Sequence, residues 1–156
     1  KPHLEFASSG WNPHLKYDSN TLESVQRRAT LTRESYHLPY KERLERLGLT
    51  NLSFRRERGD FIQIYKIVHG LEKVNWSDKN KILRPNQCRT GRRHHFQLSR
   101  EYTRGNEPRT NFSLNRMATP WNNLPKEIVL APSVNSFKSR LDSHLGRIRG
   151  KTRIYT

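Results

Sequence analysis

Residues 51–70, NLSFRRERGDFIQIYKIVHG, carry the clearest helical pattern in the chain. Phe61, Ile64 or Tyr65, and Val68 mark one apolar stripe at helical spacing, so a helix is expected from about Leu52 to His69. Thr50 or Asn51 can cap its amino end, and Gly70 supplies the stop. Arg55, Arg56 and Arg58 crowd the first half. Cations there oppose the helix macrodipole at ~0.3 to 1 kcal/mol each when exposed, which makes an external anion a natural compensation.

Shorter helical patterns flank this stretch. Before it, a helix is expected from Asp18 or Ser19, with Leu22, Val25 and Ala29 on its apolar face, and another between Pro39 and Gly48 with Tyr40, Leu44 and Leu47. The opening residues, with Leu4, Phe6 and Trp11, read as the end of a helix that starts earlier; the absence of an initial Met fits a fragment or an excised domain. After it, residues 72–111 show little periodicity. Phe96, Leu98 and then Tyr102 fit one short β-hairpin; the alternative is a loop, or a segment that orders on a partner.

Periodicity returns at Phe112, where Met117, Trp121 and Leu124 share a face that Pro120 interrupts, so a kinked or short helix is expected. Leu124 and Pro125 end it. A final helix begins at Ser133, a good cap, with Val134, Phe137, Leu141 and Leu145 inward and Lys138 and Arg140 outward. Beyond Gly146 the basic tail has no core to join and is expected to be disordered. The fold class that follows is mainly α: a small helical domain with an irregular basic middle. Its expected parts are residues 1–70, 71–111, 112–145 and the tail 146–156.

Composition narrows the function. The 156 residues are 32% hydrophobic with a mean hydropathy of -0.99, a thin supply for an independent core, so either the core is small or another chain or domain completes it. Thirty Lys and Arg against 14 Asp and Glu leave a net charge of +16. That balance favours polyanionic partners, because each neutralised phosphate releases condensed counterions. No apolar run reaches the roughly 18 residues that a bilayer span needs. The lone Cys88 excludes an internal disulfide and fits a reducing, intracellular setting.

Catalytic signatures are missing. The four Asp (18, 60, 78 and 142) are far apart, and there is neither a phosphate-cradling Gly-rich loop nor a nucleophile elbow. Cys88, His94 and His95 lack metal-site spacing, since adjacent histidines in an extended segment point to opposite faces; they read as surface or nucleic-acid-facing groups. Arg58, Gly59 and Asp60 spell an adhesion tripeptide by chance, inside a helix. No cofactor and no metal are expected. The candidate nucleic-acid contacts are Arg27, Arg28, Arg55, Arg56, Arg58, Arg92, Arg93, Arg109, Arg116, Lys138 and Arg140, with Phe96, Tyr102 and the two histidines interleaved as stacking rings.

An ordered set of motifs adds a family. KPHLEFAS…WNPH, LESVQRRAT, YKERLERLGLTNLSFRRERGDFIQIYKIVHG, NFSLNRMATPWNNLPKEIV and SVNSFKSRLD together resemble the region after the polymerase core in LINE-type, non-LTR retrotransposon reverse transcriptases of the jockey and CR1 kind. The resemblance runs in order from about residue 1 to residue 145. It implies a non-catalytic part of a larger RNA-directed DNA polymerase that also carries an endonuclease, acting in the nucleus. Its implied partners are RNA or an RNA/DNA hybrid and the rest of the parent polymerase, with no membrane. Arg27 and Arg28 would match the thumb, which grips template and primer; no catalytic residue carries over, because the paired-Asp motif lies outside this chain.

Overall fold

The computed structural model describes residues 4–73, 94–101, 104–105 and 107–152, with residues 147–152 described by their backbone alone. It is mainly α. In order come α1 (Ser8–Trp11), α2 (Lys16–Ala29), α3 (Tyr40–Arg46), α4 (Leu52–Val68), α5 (Glu107–Thr110), α6 (Ser113–Asn122), α7 (Lys126–Val129) and α8 (Val134–Thr152). Two compact units share these elements: Lys1–Asp60 with Asn111–Ser113, and Phe61–Thr110 with Leu114–Thr156. The division falls inside α4, away from the breaks expected at 70/71 and 111/112.

Helix ends follow local chemistry. Asn51 Oδ1 accepts the Phe54 N–H at 2.8 Å, and Ser133 Oγ accepts that of Ser136 at 3.2 Å, so α4 and α8 begin on the expected caps. Gly48 and Gly70 take positive φ values of 61° and 71° and end α3 and α4, with the Leu49 N–H reaching Leu44 O and the Leu71 N–H reaching Lys66 O, both at 2.8 Å. Gly146 has no such φ. There α8 continues to Thr152, so the backbone over residues 146–152 is helical where disorder was expected. A mid-helix glycine costs only ~1 kcal/mol, too little to stop a 19-residue helix pinned by the fully buried Phe137 and Leu141.

The first unit has a polar interior. On α2 the expected apolar face does not turn inward: Val25 is exposed and Gln26 is buried in its place. Gln26 Nε2 donates to Tyr40 Oη and Thr50 O, both at 3.0 Å, while its Oε1 accepts from Arg55 at 2.5 Å. Those bonds offset the desolvation that burying an amide would otherwise cost. A second hydroxyl cluster, Thr30, Thr32 and Ser35, closes the turn after α2 through the Ser35 bond to Thr30 O at 3.0 Å. Leu44 and Leu52 are the buried apolar side chains here among the described residues.

The second unit is packed on apolar and aromatic side chains. Phe61, Ile64 and Tyr65 of α4 meet Met117, Ala118 and Trp121 of α6, with Ile128 and Val129 of α7 and Phe137 and Leu141 of α8. Tyr65 stacks on Phe137 with ring centroids 4.3 Å apart and donates its hydroxyl to Ala131 O at 2.6 Å. Pro120 sits in the last turn of the ten-residue α6, where one missing N–H is tolerated. No β-strand forms among the described residues; in the segment 94–101, side chains of α6 bond backbone groups of Phe96, Leu98 and Glu101, and Tyr102, the far side of the expected hairpin, lies outside the described residues.

Candidate nucleic-acid interface

The basic clusters seen in the sequence meet different fates. In the first unit, Arg27 and Arg28 are exposed at the end of α2, and the Arg27 guanidinium lies 5.1 Å from the Tyr40 ring centroid. Arg55 and Arg56 turn inward. Arg55 Nε donates to Glu5 at 2.7 Å and its Nη1 to Thr50 O at 2.8 Å. Arg56 is only 1% exposed; its Nε donates to Asn12 Oδ1 at 2.9 Å, and burial holds the guanidinium below the usual arginine range. Arg58 is half-buried.

The compensation expected from an external anion is therefore internal. Glu23 reaches the amino end of α4, where its Oε2 accepts the Leu52 N–H at 2.9 Å, placing a carboxylate at the positive end of the macrodipole. Its other oxygen accepts the Tyr40 hydroxyl at 2.5 Å. Burial, and then that bond, push the Tyr40 phenol up to about 12.

The second unit holds most of the excess charge. It carries 19 Lys and Arg against 6 Asp and Glu, a net +13, whereas the first unit carries 11 against 8, a net +3. Arg140 is exposed on α8 and donates to Glu127 O, with Lys138 half-buried beside it. Arg109 of α5 is exposed and grips both oxygens of Glu101 at 2.9 Å, while Arg116 of α6 is half-buried. Arg92 and Arg93 lie outside the described residues, as do Cys88 and Tyr102. Arg100 and Arg104 are exposed too. A search for clustered cations passes over them because each stands alone in sequence.

Three side chains of α6 fix the segment 94–101. Trp121 is fully buried, yet its Nε1 donates to Phe96 O at 2.7 Å. Asn122 brackets Leu98, accepting its N–H at 2.8 Å and donating to its C=O at 2.9 Å, and Asn115 accepts the Glu101 N–H at 2.9 Å. The two amides thus imitate a neighbouring strand. Their role has no periodic signature, since each occupies a position where an ordinary polar surface residue would fit.

The adjacent histidines part company. His94 is fully buried, against the expectation of a surface group: its ring packs edge-on to Trp121 at 5.9 Å and its Nε2 bonds Trp121 O at 3.2 Å. Desolvation lowers its pKa, so the neutral ring is favoured. His95 is exposed and meets the half-buried Phe96 at 5.1 Å. Among the described residues no three His, Cys, Asp or Glu side chains are placed to hold a metal ion, and no helix is long and apolar enough to cross a membrane.

The chain was compared with protein-family models, curated proteins and solved structures, and none matches it.

Proposed function

We propose that the chain is a non-catalytic nucleic-acid-binding module that holds RNA, or an RNA/DNA hybrid, by arginine contacts to phosphate, of the kind that follows the polymerase core in LINE-type reverse transcriptases. The observation that carries this reading is the net charge of +13 on the second unit, whose described core is built of apolar and aromatic side chains. Arg100, Arg104 and Arg140 are exposed there, and Arg27 and Arg28 in the first unit. Such contacts recognise shape and charge with little base reading. The ordered motifs, from LESVQRRAT to SVNSFKSRLD, supply the reverse-transcriptase part of the proposal.

Filter binding of the purified chain to RNA and to RNA/DNA hybrid across a salt series tests it. Affinity is expected to fall steeply with salt, and neutralising Arg100, Arg104 and Arg140 together should flatten the slope by up to about 3. Undetectable affinity at low salt overturns the reading.

A second reading rests on a different observation. Nine of the ten large apolar side chains exposed among the described residues, Phe6, Tyr17 and Tyr36 foremost, belong to the first unit. Exposed apolar side chains of that kind suit packing against a protein surface, and on this reading the partner is the rest of the parent polymerase. Co-purification with that polymerase by a chain that fails to bind nucleic acid supports the second reading over the first.

A further inference from the structure

Rings in the second unit form a connected series from the core outward. Tyr65 stacks on Phe137 at 4.3 Å; His69 lies 4.2 Å from Tyr65 and 4.8 Å from Phe96; Phe96 lies 5.1 Å from His95. Exposure rises along the way. Tyr65 is buried, His69 and Phe96 are half-buried, and His95 is exposed.

The backbone beneath the outer ring is anchored. Phe96 O is tied to Trp121, both backbone groups of Leu98 are tied to Asn122, and His69 Nε2 bonds Val129 O at 2.9 Å. A flat ring that costs little to order is the physical requirement for base stacking, and a cationic surround is the requirement for the backbone between bases. Exposed Arg100 and Arg104 follow on the chain as candidates for the second, and Glu101 between them is paired with Arg109.

We propose that the exposed His95 ring, backed by Phe96 at a tilt of 52°, is a stacking platform for unpaired bases, so that the module holds single-stranded RNA or DNA in preference to duplex. The proposal rests on the nucleic-acid reading above and narrows its substrate to the unpaired strand, making the RNA/DNA hybrid, a duplex, the weaker ligand. Bases in a duplex are already stacked on their neighbours and offer their faces only at the ends. An unpaired strand offers every base face, and the platform takes whichever base arrives, without reading its edge.

The test uses the whole chain at fixed salt and three probes of about 12 nucleotides, within the site size of small single-strand modules. They are a mixed-sequence single strand, the same sequence as a duplex, and an abasic strand with the same number of phosphates. The single strand should bind most tightly. His95→Ala should lose about tenfold on it and little on the other two, and His95→Tyr, which keeps a ring, should restore the loss. Because His95 is exposed, these variants leave the core intact, as circular dichroism would verify. Phe96→Leu supplies a second removal of ring surface at the inner position. Equal affinity for the three probes, or a His95→Ala loss shared by the abasic strand, overturns the platform while leaving the charge-based reading in place. Absence of binding to every probe at low salt overturns both.

Discussion

The two units solve the problem of a hydrophobic-poor sequence in opposite ways. The second concentrates its apolar residues into one core, around Trp121 and Phe137, and carries a net charge of +13. The first buries amide, hydroxyl and guanidinium groups around Gln26, Tyr40 and Arg56 and turns Phe6, Tyr17, Val25 and Tyr36 to solvent. Charge alone thus misleads about binding. Arg55 and Arg56, the densest cluster in the chain, are tied up inside the first unit, whereas isolated Arg100 and Arg104 are open in the second.

The largest expected effect lies where the apolar solution is most concentrated. Trp121→Ala removes a fully buried ring and the donor to Phe96 O, so it should cost about 3 to 5 kcal/mol and release the segment 94–101. Urea denaturation followed by circular dichroism measures it. A cost below about 1 kcal/mol would mean that this unit does not depend on its core in the way described.

In the first unit a polar residue should carry a large effect. Gln26→Leu keeps the side chain's bulk but strips bonds from the Tyr40 hydroxyl, Thr50 O and Arg55, at an expected cost of about 2 kcal/mol or more. Val25→Ala, one residue away and exposed, should stay within about 0.5 kcal/mol. Reversal of that order in paired denaturation curves would break the comparison between the units.

That pair of neighbours also marks the limit of what the sequence makes legible. Helix α4 with its Asn51 cap and Gly70 stop, the Ser133 cap of α8, and the inward stripe of Phe61, Trp121, Phe137 and Leu141 could all be read from spacing, because apolar burial repeats with the helix period. The inward face of α2 could not. Gln26 is buried because of partners 14, 24 and 29 residues away, and no local pattern records them. The same holds for Asn122, which stands in for a strand, and for Arg56 and His94, polar residues buried by long-range packing. For the interface, the excess of charge was legible but its distribution between the units was not.

A smaller effect separates the units by pH. His94 has its folded pKa lowered by burial, so the stability tied to its neutral ring is present above the unfolded value near 6.5 and is lost as pH falls from there toward the folded value. His94→Gln, which can still donate to Trp121 O, should flatten the decline of the urea midpoint between about pH 6.5 and 5. Tyr40 in the first unit works at the other end. Its folded pKa is raised to about 12, so its contribution is present below the unfolded value near 10 and is lost as pH rises through the folded one. Burial raises the Tyr65 phenol as well, so the alkaline decline is shared and the acid decline is the mark of the second unit. Ultraviolet titration of the phenols and midpoints at several pH values check both signs.

The smallest expected effect is also the most diagnostic for the first unit's exterior. Tyr17 is 79% exposed and Phe6 77%, so Tyr17→Ser and Phe6→Ser should each change stability by no more than about 0.5 kcal/mol. If these side chains serve only as surface, binding to nucleic acid and to the polymerase, the two partners proposed above, should be unchanged as well. If they dock on a protein, polymerase co-purification should weaken while unfolding curves stay superimposed, because the lost apolar area matters only in the complex. A destabilisation of 2 kcal/mol or more would instead place these rings in the unit's own packing, and the contrast between a polar and an apolar interior would fail.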